Sequence, residues 1–129
     1  MRDEHVRRYA RHILLPDMGG LGQTALMTAT ARITISRTPT ADLIAGTYLA
    51  AGGVGTLVVN GATDDERAAI AKAGPDTHVL EAAGTGTGTE VTLPAPPSWW
   101  PAADGDATAL AFWRGGYAAT RWMADIASR

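Results

Sequence analysis

Apolar positions along this chain recur first at helical and then at strand-like spacings. Val6, Tyr9 and Ile13 repeat at intervals of three and four, flanked by Arg7, Arg8 and Arg11, which predicts a helix over 3–15. Asp3 and Glu4 suit its amino end, where carboxylates oppose the positive pole of the helix dipole. Pro16 stops that helix, residues 17–20 turn, and a second short helix is predicted over 21–29. Residues 32–36 alternate polar and apolar, as a half-buried strand does. Beyond Pro39 a helix is predicted over 41–51, closed by Gly52 and Gly53.

Thr56, Leu57, Val58 and Val59 form a continuously apolar run, the pattern of a strand buried on both faces of a parallel sheet. Thr63 then reads as a helix cap, with Asp64, Asp65 and Glu66 in the first turn of a helix reaching Lys72. Gly74 and Pro75 end it, and residues 77–81 predict a third strand. Residues 90–93 allow one more short strand. The last helix is predicted over 108–127, with Phe112, Gly116, Ala119, Met123 and Ile126 on one face. Gly115 and Gly116 inside it each cost about 1 kcal/mol against Ala, which implies close backbone approach to the sheet.

This succession of elements predicts α/β class, as a reduced Rossmann-like three-layer domain with a short, mainly parallel sheet and a C-terminal helix. One domain spans 1–129: a helical arm (1–30), a βαβαβ unit (31–83), a Gly/Thr/Pro-rich loop (84–106) and the final helix (107–129).

Composition sharpens this picture. Of the 129 residues 46% are hydrophobic, but 25 of those are Ala while Val, Ile, Leu and Phe together number 23, so helices should pack closely through small side chains. The absence of Cys excludes disulfides, a thiolate zinc site and a thiol nucleophile. A formal charge of −2 makes no case for nucleic acid. No apolar run is long enough to cross a bilayer and the basic amino terminus is no secretory signal, so a cytoplasmic protein without membrane contact is expected.

Candidate chemistry is sparse. A phosphate-binding loop needs glycines between a strand and a following helix. Gly19, Gly20 and Gly22 follow a helix, Gly52, Gly53 and Gly55 precede a strand, and Gly84, Gly86 and Gly88 lead into an extended segment. The place where such a loop belongs, Arg37 to Asp42, holds no glycine. His5, His12 and His78 lack metal-ligand spacing and read as surface histidines. Ser36, Ser98 and Ser128 lack a nucleophile-elbow context. Trp99 and Trp100 suit either a binding platform or a loop folded over the core.

Two segments nevertheless carry a resemblance. Arg8-Tyr9-Ala10-Arg11-His12-Ile13-Leu14-Leu15-Pro16, followed by Gly22, Gln23 and Leu26, resembles the opening of the ThiF/MoeB/HesA adenylyltransferases, the ubiquitin-activating-enzyme-like proteins of bacteria. Residues Tyr48 to Leu57 resemble the helix-to-second-strand junction of that family, in the same order and at similar spacing. The likeness covers about residues 7–60. It implies a Rossmann-like domain, usually dimeric, that uses ATP and magnesium to adenylate the C-terminal carboxylate of a small carrier protein.

Departures from that pattern are as informative. The family's glycine-rich nucleotide loop falls on Arg37–Asp42 and is missing, and its acidic ribose-binding residue falls on Asn60 or Gly61. The Arg- and Lys-bearing segment expected after it is not recognisable in Ala62–Lys72, no catalytic aspartate is found after 77–81, and the chain is shorter than a full family domain. By the same match Arg11 corresponds to an arginine that reaches across a dimer to the partner's ATP phosphates, and Val6, Tyr9, Ile13, Leu14 and Leu15 form an interface segment.

These features imply a degenerate, non-catalytic homologue, pairing with itself or with a complete family member, with a ubiquitin-like or carrier protein as a further partner. No cofactor is then expected. The alternatives are a reduced adenylyltransferase that uses ATP and magnesium, and a small ligand- or peptide-binding module using Trp99 and Trp100.

Overall fold

The computed structural model describes residues 1–10, 19–81, 88–100 and 107–129. Its elements, in chain order, are α1 (Asp3–Arg8), α2 (Gly19–Thr28), β1 (Thr30–Thr34), α3 (Pro39–Ala51), β2 (Thr56–Asn60), α4 (Asp64–Ala73), β3 (His78–Leu80), β4 (Thr89–Glu90) and α5 (Ala107–Ala127). The four strands form one sheet in the order β3-β2-β1-β4, and every neighbouring pair is parallel. The class is α/β with a C-terminal helix, consistent with a small Rossmann-like three-layer domain. No helix among the described residues is long and apolar enough to cross a membrane.

Register places Ala31, Leu57 and Val79 side by side on one sheet face, with Ile33 beside Val59. That face carries the core, in which Leu26, Leu49, Leu57, Ile70, Val54 and Val59 are fully buried. Val58 points to the other face and is also buried, so all three apolar side chains of β2 are covered, as the continuous run predicted. The first strand begins two residues earlier than its alternation suggested, because Ala31 pairs with Leu57 inside the sheet.

Helix α3 packs most extensively on α5, then on α4. Both helices bury small residues, Ala41 and Ala45 on α3 and Gly115, Ala118 and Ala119 on α5. A Cβ on Gly115 would lie 2.5 Å from the Ala41 carbonyl oxygen. The close approach in this helix is therefore made by Gly115 against α3, not by Gly116 against the sheet. Gly116 has room for a Cβ, which would sit 3.6 Å from the Tyr48 ring. The buried face of α5 is accordingly Gly115, Ala118, Ala119, Trp122, Met123 and Ile126, while Phe112 is half exposed.

Helix α4 opens as expected. The Thr63 hydroxyl accepts from the Glu66 amide at 3.1 Å, and the Glu66 carboxylate accepts from the Thr63 amide at 2.8 Å.

Candidate functional site

Strands in a parallel sheet end together, so ligands in such folds bind at their carboxyl ends. Here the chain leaves β1 through Ile35, Ser36, Arg37 and Thr38 and enters α3 at Pro39. Pro39 removes one of the unpaired amides of the first turn, and Thr38 makes no side-chain cap. One turn in, Asp42 is buried at 4% exposure. Its Oδ2 accepts from the Ser36 amide at 2.8 Å and from the Ser36 hydroxyl at 2.7 Å.

The Ser36 hydroxyl oxygen in turn accepts from the Thr38 amide at 3.1 Å. Arg114 on α5 closes the group, donating to the Thr38 hydroxyl at 3.3 Å and to the Pro94 carbonyl at 2.8 Å. A helix amino terminus favours an anion through its dipole and free amides. In this chain the Ser36 amide and hydroxyl are already bonded to the protein's own Asp42 carboxyl group. The turn between β1 and α3 therefore offers neither a glycine nor a free Ser36 amide to the nucleotide that the family resemblance implies.

The neighbouring strand ends tell a similar story. Asn60 closes β2, and its side-chain oxygen is buried without a hydrogen-bond partner. Arg67, in the segment where the resemblance expects an Arg- and Lys-bearing stretch, donates to the Ala62 carbonyl at 2.6 Å and pairs with Asp64 and, at 3.5 Å, with Glu81. Its guanidinium is held by its own chain.

At the opposite, amino ends of the strands, α1 docks on the turn before β3. Asp76 is the anchor: Arg8 and Tyr9 donate to its Oδ2, the Tyr9 hydroxyl at 2.8 Å, and His5 Nε2 lies 3.7 Å from its Oδ1. Burial pushes the Asp76 carboxyl up, but hydrogen bonds from Arg8 and Tyr9 and the charges of Arg8 and His5 outweigh it and hold it below its ordinary value. Burial, then the bond to Asp76, pushes the Tyr9 hydroxyl up to about 12. The Tyr9 ring packs at Gly53, whose φ of +87° no side chain adopts easily and whose Cβ would lie 2.6 Å from that ring. Gln23 completes the junction by donating to the Gly52 carbonyl at 2.9 Å.

Two expectations change here. His5 is not a surface histidine: it is 8% exposed and faces Asp76. The buried residues of this arm are His5 in α1 and Tyr9 at its C-cap, four residues apart, whereas Val6 is exposed. Tyr9 is thus used inside its own chain, and Val6 is the residue of the proposed interface segment that lies open among those described. Arg11, Ile13, Leu14 and Leu15, with His12, lie outside the described residues.

The other candidates stay apart. Trp99 is 72% exposed and tilted against Trp100, with ring centroids 5.9 Å apart. Gly19 and Gly20 open α2, and Gly55 packs against the Met27 carbonyl at the entry to β2. Among the described residues no group of three acidic or histidine side chains is placed to hold a metal ion. The residue that pattern-reading missed is Asp42. An acid in a first helical turn signals only a favourable dipole, whereas its burial and its bonds to Ser36 belong to the folded chain.

No protein-family model matches the chain, and no curated protein matches it. Among solved structures it is similar to the crystal structure of selenomethionine-substituted PaaA, at 21% sequence identity and a TM-score of 0.50. That likeness covers 63% of this chain but 36% of the PaaA chain, and it concerns the fold alone.

Proposed function

We propose that this protein is a non-catalytic homologue of the ThiF/MoeB/HesA adenylyltransferases that acts as a dimerisation or regulatory partner. The observation that carries this function is the Asp42 carboxylate bonded to Ser36 at the head of α3. A family domain with a working nucleotide site needs free amides there, and in this chain the Ser36 amide is already bonded to the Asp42 carboxyl group. Further support comes from Asn60 at the end of β2, which carries no negative charge for a ribose, and from Arg67, whose guanidinium is paired within the chain.

The sequence resemblance over residues 7–60 supports this family, and the Rossmann-like fold is compatible with it. The partner would be a second copy or a complete family member, met through the arm that includes Val6 and Arg11. Isothermal titration with ATP and magnesium is expected to give no binding heat; saturable micromolar binding would sink the proposal. Mixing with an active adenylyltransferase is expected to give a complex whose activity changes on Arg11→Ala. Unchanged activity would reduce the role to packing.

A further inference from the structure

We draw no further inference here: the strongest candidate, the cavity beside α1 lined by Arg2, His5, Asp76 and His78, belongs to the cluster that docks α1 and mixes both signs of charge, so nothing in the structure shows what would fill it.

Discussion

The Tyr9 hydroxyl donates to Asp76 Oδ2 at 2.8 Å and joins residues 67 positions apart. This bond fastens α1 to the turn before β3, in a cluster with Arg8 and His5. Its loss should be measurable. Tyr9→Phe keeps the ring against Gly53 and removes one hydrogen bond to a charged group, with an expected loss of roughly 1.5–3 kcal/mol in urea unfolding.

The same cluster sets a pH dependence. The folded carboxyl of Asp76 is held below its ordinary value, so its contribution is present above about pH 4 and is lost as pH falls through the folded value. The stability gap between the wild type and Asp76→Asn should therefore shrink on acidification. Tyr9 works at the other end: with its folded value raised to about 12, its contribution holds below the unfolded value and is lost as pH rises towards 12. Phenolate absorbance should show a late-titrating component that Tyr9→Phe removes.

Asp42 and Ser36 give a third expectation. Asp42→Ala strips the Ser36 amide and hydroxyl of their acceptor, and should cost about 1–3 kcal/mol with faster hydrogen exchange at Ser36. Asp42→Asn keeps an acceptor oxygen and should cost less.

Adjacent glycines in α5 should respond with opposite sign. Gly115→Ala forces a Cβ within 2.5 Å of a backbone carbonyl and should destabilise by about 2 kcal/mol or more. Gly116→Ala meets ordinary van der Waals contact and should stabilise by up to about 1 kcal/mol through helix propensity. Thermal melts of the two variants decide it.

At the start of α4, Thr63→Ala removes the acceptor for the Glu66 amide. Its expected cost is about 1 kcal/mol, read from denaturant midpoints.

Much of the fold could be read from the chain because its causes are local. The apolar run at Thr56–Val59 marks a covered strand, and Thr63 with Glu66 carries the cap chemistry of α4 in four residues. The site was legible only as a lack: no glycine between Arg37 and Asp42. That the Asp42 carboxyl takes the Ser36 amide and hydroxyl, while Arg114 reaches Thr38 from 76 residues away, is visible only in the folded chain. His5 misled for the same reason, since the carboxylate that faces it comes from Asp76.

The sequence by itself determined the order of helices and strands, the α/β class and the missing phosphate loop, because spacing, capping and turn chemistry act within a few residues. Tertiary structure decided which of two adjacent glycines admits α3, that His5 and Tyr9 are buried, and that the Asp42 carboxyl bonds Ser36. Those outcomes depend on distances between segments far apart in the chain, which packing alone sets.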